Sequence, residues 1–169
     1  MINGESLSTL GGQFKQGIFE AAQTVFADAT STDFPTSPTV CMGIPSNTDN
    51  FQIVSVGEVG ISQTPAALAT TRPREETLTC DVTISVFLGG MDDVEVKVNA
   101  RAWELMALLE EQVHYVRENQ DGTTLGGLVR ECFLTQVSQD SQAAQVSTTA
   151  GREAVIAGTF TAKARIRWQ

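Results

Sequence analysis

Two stretches of the chain repeat apolar residues at helical spacing. In residues 5–29 the apolar positions recur every three or four residues, which places them on one face of a helix. Glycines early in this stretch weaken its first turns, so we expect QFKQGIFEAAQTVFAD to be its stable part. A second helix is predicted to start where Asp92 precedes Glu95 at the spacing of a capping box, and to continue to about Asn119. Its apolar stripe, typical of a face that packs against a core, consists of Val98, Ala102, Leu105, Leu109, Val113 and Val116.

Five other stretches have the composition and alternation of β-strands. They are residues 40–45, 51–62, 78–88, 128–137 and 153–168. In LTCDVTISVFL, the third of these, apolar and polar side chains alternate, which predicts a strand with one buried and one wet face. The last strand would span about 50 Å if extended, whereas a compact domain of this size is only about 40 Å across. We therefore expect this strand either to bend or break at Gly158 or to project beyond the core.

The order of these elements is one helix, three strands, a second helix and two strands, which favours the α+β class. The 169 residues suit a single domain, 1–169, with a mostly antiparallel sheet and two helices packed against it. Long hairpin loops are expected at 62–76, an arm that leads into the wet-faced strand, and at 138–151, where SQDSQAAQVSTTAG is polar.

The chain is acidic and has few charged residues. Its formal net charge is −9, with 11 Lys and Arg against 20 Asp and Glu, and its pI is about 4.5. This balance argues against a DNA- or RNA-binding module, which would carry a basic patch. Charged residues make up 18% of the chain, against about a quarter in an average soluble domain, so we expect partners to cover part of the surface.

The three cysteines, Cys41, Cys80 and Cys132, lie far apart among strand-like neighbours. Because they lack a Cys-x-x-Cys or Cys/His spacing, they predict no metal site. We expect them to be small buried apolar residues of a protein that folds in a reducing compartment. The start MINGESLSTLGGQFK lacks a signal-peptide pattern and no apolar run is long enough to span a bilayer, so the expectation is a soluble protein made in a cytoplasm.

Few residues offer catalytic chemistry. The single histidine, His114, lies beside the apolar stripe of the second helix, and the chain has neither a G-x-S-x-G elbow nor a nucleophilic cysteine motif. The glycine pairs 89–90 and 126–127 lack a phosphate-binding pattern, and the carboxylate pairs 92–93 and 110–111 suit a helix start and a solvated helix face. We therefore predict no catalytic residue and no cofactor. Two alternatives stay open: an enzyme that uses Cys or Ser near His114, and a module that binds a small molecule or peptide.

The segment TTRPREE concentrates charge in a chain where charge is sparse. Arg72, Arg74, Glu75 and Glu76 surround Pro73, immediately before the wet-faced strand. The cluster could form a binding site, a flexible loop or the foot of a hairpin that meets another subunit. The fixed donor geometry of arginine suits ion pairs across a subunit boundary, and the proline stiffens the approach, which favours the interface hairpin.

A second basic group, Lys163, Arg165 and Arg167, alternates along the last strand and so shares one of its faces. It has three interpretations: a stripe for nucleic acid, protection of an edge strand, or ion pairing with an acidic neighbouring subunit. Three positive charges in an acidic chain are few for nucleic-acid binding.

Taken in order, these features resemble the tail terminator (tail-completion) proteins of long-tailed bacteriophages, including minor tail proteins of actinobacterial phages. The resemblance covers nearly the whole chain and rests on the order and spacing of elements, since this family has no invariant catalytic signature. Besides the first helix, the segments that carry it are VCMGIP, RPREETLTCDVTISVFLGG, NARAWELMALLEEQV, TTLGGLVRECFL and AKARIRW. Head–tail connector and neck proteins of similar size share parts of this pattern.

The resemblance implies a structural role in a virion, without a membrane. Such proteins form a ring, typically a hexamer, that caps the head-proximal end of the tail tube. The ring stops polymerisation of the major tail tube protein and presents the surface on which a filled head docks through its connector or neck protein. DNA passes through the lumen without being read, and an acidic lumen would repel it. Assembly takes place in the cytoplasm of the host bacterium, and the two charged clusters are then expected to contact other subunits or the tube.

Overall fold

The computed structural model describes residues 7–46, 51–65, 74–114, 125–146 and 149–166. The helices are α1 (Leu7–Phe26) and α2 (Glu95–His114), and single 3-10 turns occupy Asp92–Val94 and Leu125–Gly127. The strands are β1 (Thr39–Met42), β2 (Gln52–Pro65), β3 (Arg74–Gly89), β4 (Glu131–Val146) and β5 (Thr149–Ile166). Of the predicted second helix, residues 115–119 lie outside the described part of the chain. No helix in the described ranges combines the length and the apolar character that crossing a membrane requires.

The five strands form one sheet in the order β1-β2-β3-β5-β4. β1 runs parallel to β2, and the other neighbours are antiparallel. This is the single α+β domain that was predicted, with the predicted order of helices and strands. The long central strands β3 and β5 pair from Arg74–Ile166 to Gly89–Gly151 without a change of register.

Both helices pack on the same face of the sheet, and the core lies between the helices and that face. Alternate residues of β3 are fully buried against the helices: Leu78, Cys80, Val82, Ile84 and Val86. The apolar stripes of α1 and α2 meet them, and the predicted alternation of the wet-faced strand is therefore confirmed. On the opposite face, Asp81 and Thr83 are exposed. Polar pairs link the strands there, for example Thr159 Oγ1, which donates to Asp81 Oδ1 at 2.7 Å.

The last strand passes through Gly158 without a break in its pairing to β3. At about 3.3 Å per residue, its 18 residues span roughly 60 Å, which exceeds the width expected of the core. Gly158 allows close packing, because a Cβ there would lie 2.8 Å from Leu134 Cδ1 and 3.0 Å from Met106 Cε. Of the two expectations for this strand, the break at Gly158 is wrong.

The expected loop at 138–151 is also wrong, because β4 continues to Val146 and β5 starts at Thr149. β4 is an edge strand, so its polar side chains need no core to cover them. Several bind α2 instead: Trp103 Nε1 donates to Gln139 Oε1 at 3.0 Å, and Ser141 Oγ donates to Glu95 Oε1 at 3.1 Å. Backbone pairing with β5 and these hydrogen bonds extend the strand where no apolar alternation marks it.

The expected arm at 62–76 is partly a paired ribbon. Residues 62–65 of β2 pair with residues 74–77 of β3, and residues 66–73 lie outside the described part of the chain.

Candidate functional site

The predicted interface residues that the structure describes gather at one end of the sheet. We call this region the ribbon end; it comprises residues 62–65 of β2, 74–77 of β3 and 163–166 of β5. Its register brings Glu75 opposite Arg165 and Thr77 opposite Lys163. Arg74, the first residue of β3, belongs to the ribbon end through its backbone, while Arg72 and Arg167 lie outside the described residues.

The ribbon end is narrower than the rest of the sheet. β1 pairs only with residues 53–56 of β2, so the last residues of β2 form an edge in the described structure. On the other side, the ladder between β4 and β5 begins at the pair Glu131–Lys163, while the ladder between β3 and β5 continues to Ile166. In the described part of the chain, the ribbon end therefore consists of three strands that extend past their outer neighbours, and such backbone edges are where further strands or subunits can attach.

Glu76 is the most unusual residue of the ribbon end. It lies on the helix-facing side of β3, two residues before Leu78, and its side chain has 0% exposure. Gln63 Nε2, from the neighbouring strand, donates to Glu76 Oε1 at 2.6 Å. The second oxygen, Oε2, is buried and has no hydrogen-bond partner among the described residues. Burying a carboxylate oxygen without a partner is costly, so Glu76 Oε2 is a candidate acceptor for a further donor.

Lys163 does not lie at an edge of the sheet. It pairs with Thr77 of β3 on one side and with Glu131 of β4 on the other, so protection of a sheet edge does not explain this lysine. Lys163 Nζ lies 3.1 Å from Glu131 Oε1, and both side chains are about half exposed. This lysine is therefore neutralised within the subunit, and a pair of this kind contributes little to stability.

Two of the three cysteines and the histidine lie in different surroundings. Cys80 and Cys132 are fully buried on the core face, and burial raises the pKa of each thiol to about 12, which is the opposite of activation. His114, the last residue of α2, is exposed, and its ring lies 5.1 Å from that of Phe133. Within the described ranges, no group of three or more His, Cys, Asp or Glu side chains is placed to hold a metal ion.

A buried polar network around Arg101 was missed from the sequence. Arg101, 3% exposed, donates from Nε to Gln52 Oε1 at 2.8 Å and also donates to the Ala29 carbonyl. Gln52 in turn donates from Nε2 to the Thr36 carbonyl at 2.7 Å, and the guanidinium lies 5.6 Å from the Phe34 ring centre. The network ties the segment between α1 and β1 to α2 and β2. The sequence feature that indicates this network is the position of Arg101 three residues after Val98, which places it on the buried face of the helix.

Comparison with known proteins gives a likeness of fold. No protein-family model matches the chain, and a search of the curated proteins found no match. Among solved structures, the chain is similar to a chain of the structure titled "Virion of native gene transfer agent (GTA) particle", with a TM-score of 0.52 and 9% sequence identity. The likeness covers 95% of this chain and 100% of that one, so the two share an architecture from end to end.

Proposed function

We propose that this chain is a structural protein of a phage-like virion. The observation that carries the proposal is the likeness to a complete chain of a gene transfer agent virion, which spans 95% of the present chain. The arrangement of side chains agrees with it. Two of the three thiols are buried, the histidine is exposed at the end of α2, and at the ribbon end Glu76 Oε2 has no hydrogen-bond partner among the described residues.

Within a virion, we propose the role of tail terminator. In this role the chain forms a ring, a hexamer, that caps the head-proximal end of the tail tube, stops its growth and receives the head. The ribbon end supports an assembly function, since its three strands have backbone edges in the described part of the chain. The predicted interface residues are Arg72, Arg74, Glu75, Glu76, Lys163, Arg165 and Arg167. Partners are further copies of the chain, the major tail tube protein and the connector or neck protein, and DNA passes through the lumen unread.

Electron microscopy of the purified chain, alone and mixed with tail tubes of the same virion, tests the proposal. A terminator forms rings of six and binds one end of each tube, and adding it early shortens the tubes. Rings that bind the connector and leave tube growth unchanged would instead identify a neck protein. A monomer that binds neither partner would refute the structural role.

Charge reversal tests the two arginines of the TTRPREE segment. Arg72→Glu with Arg74→Glu should prevent ring formation or tube binding, because arginine pairs across a boundary would become like-charge contacts. The circular dichroism spectrum and melting temperature should remain those of the unchanged chain. A matched control is Arg152→Glu, near the opposite end of β5. Normal rings and capped tubes from the double variant would make the cluster a solvated turn.

A further inference from the structure

Among the described residues, no cationic side chain contacts the buried carboxylate of Glu76. Gln63 satisfies Oε1, while Oε2 has no donor, and among the described residues Glu76 forms no ion pair. A carboxylate in this state prefers a charge-assisted hydrogen bond, which a guanidinium or ammonium group provides most strongly. The missing ligand is therefore a cationic side chain.

The register of the sheet indicates where such a cation lies in a neighbouring copy. Glu76 is opposite Gln63 on β2, which is the sheet edge at this level, and opposite Ala164 on β5. Across β5, Glu131, the first residue of β4, pairs with Lys163, the neighbour of Ala164. Arg130 precedes β4 in a bend, and its backbone N–H donates to the Lys163 carbonyl at 2.9 Å, which places its backbone beside this end of β5.

Arg130 is available for contact with another copy. Its side chain is exposed, and it has no ion-pair partner in the described part of the chain. Lys163, by contrast, already pairs with Glu131. If two copies meet head to tail, edge beside edge, Arg130 of one copy lies about two strand spacings, or roughly 10 Å, from the backbone of Glu76 in the next. An extended arginine and a glutamate side chain together cover that distance.

We infer that Glu76 is the acceptor of an intersubunit ion pair, in which the guanidinium of Arg130 from a second copy donates to Oε2. The inference rests on the proposed ring, because only a head-to-tail assembly brings the two edges together repeatedly. It goes beyond the ring by naming the pair that closes each contact. It also explains why a carboxylate is buried with one oxygen unsatisfied: the isolated subunit bears a desolvation cost that assembly offsets.

Sedimentation velocity of the full chain over a concentration series tests the pair. Glu76→Gln keeps the shape and the Gln63 contact but removes the charge, and Arg130→Gln removes the cation from an exposed position. Each should weaken the association between copies by about 30-fold or more, the range seen when one partner of a buried charge pair is removed. The double variant should be no weaker than either single variant, which is the signature of a direct pair.

Stability measurements on the isolated subunit separate this role from a purely structural one. Glu76→Gln should keep or raise the melting temperature of the monomer while weakening assembly. If Glu76 instead had a purely structural role within the subunit, the substitution would lower the melting temperature as well as weaken assembly. Glu111→Gln, which removes the same charge from an exposed glutamate of α2 outside the ribbon end, is the matched control and should assemble normally.

Two results would overturn the inference, and they differ in what they say about the ring. If the unchanged chain forms rings that cap tubes and both variants do the same, the ring stands and the pair is wrong. If the unchanged chain stays a monomer at every concentration, both the ring and the pair are wrong.

Discussion

Replacing Arg101 by methionine tests whether the buried polar network holds the segment between α1 and β1 in place. The substitution leaves Gln52 Oε1 and the Ala29 carbonyl without their donor, while methionine fills most of the volume. Hydrogen bonds to a charged group contribute about 1.5–3 kcal/mol each. Part of that loss is offset, because the variant no longer bears the desolvation cost of a buried guanidinium. We therefore expect a loss of about 3 kcal/mol in the free energy of unfolding, which for a chain of this length lowers the melting temperature by about 6–12 °C.

Lys97→Met is the matched control, since Lys97 lies on the same helix and also binds the segment between α1 and β1. Its Nζ is 2.9 Å from Asp33 Oδ1, but both side chains are about half exposed. Such a pair contributes little, so this variant should melt close to the unchanged chain. The comparison therefore sets a buried tether against an exposed one on a single helix.

Urea unfolding followed by circular dichroism measures both variants. The midpoint should fall for Arg101→Met without a change in the slope of free energy against urea, which indicates lost stability rather than a more open native state. Adding Gln52→Leu to Arg101→Met should recover part of the lost free energy of unfolding, because the double variant has no buried glutamine amide left without its donor. Equal small losses in the Arg101 and Lys97 variants would refute the assignment of a buried network.

Two further predictions concern packing and pH. Gly151→Ala should lower the free energy of unfolding by about 1–3 kcal/mol, because the new Cβ would lie 2.2 Å from the Leu88 carbonyl oxygen. Gly12→Ala, with open space around its Cβ, should raise the free energy of unfolding by about 0.5–1 kcal/mol, and thermal melts measure both changes. Since burial raises the pKa of Cys80 and Cys132 from 9.0 to about 12, only the unfolded chain loses these protons between those two pH values. The free energy of unfolding should then fall with rising pH by up to about 1.4 kcal/mol per unit for each thiol. Replacing both cysteines by alanine should flatten this slope, whatever its effect on stability at neutral pH, and an unchanged slope would exclude the thiols as its cause.

The helices and the central strand could be predicted because their residues pack against a core. Alternation along β3 and the stripe on α2 reflect burial on one side, which is a property of each residue's own position. The second half of β4 carries no such pattern. Its extension depends on backbone pairing with β5 and on contacts such as Gln139 with Trp103, which join residues far apart in the chain. Hydrophobic periodicity does not predict hydrogen bonds between residues that are far apart in the chain.

The burial of Glu76 could have been predicted from the alternation of β3, although a glutamate is not expected on a buried face. Counting back by two from Leu78 along β3 reaches Glu76, so the period of the strand already placed this glutamate on the buried face. The cluster was instead interpreted by its charge, as part of a solvated or interfacial turn. What the alternation could not supply was the pairing with Gln63 or the missing partner of Oε2, since both depend on the neighbouring strand.

Salt dependence connects the acidity of the chain with the proposed assembly. Each subunit carries a net charge of −9, so copies repel one another over distances that salt screens, with a Debye length of about 10 Å at 0.1 M. The inferred pair between Glu76 and Arg130 is short and desolvated, and salt screens it much less. Raising the salt concentration should therefore strengthen association of the unchanged chain by reducing repulsion. The difference between the unchanged chain and Glu76→Gln should persist, because it depends on a contact that the added ions do not reach. A difference that disappears in high salt would mean that Glu76 acts only through the overall charge of the surface.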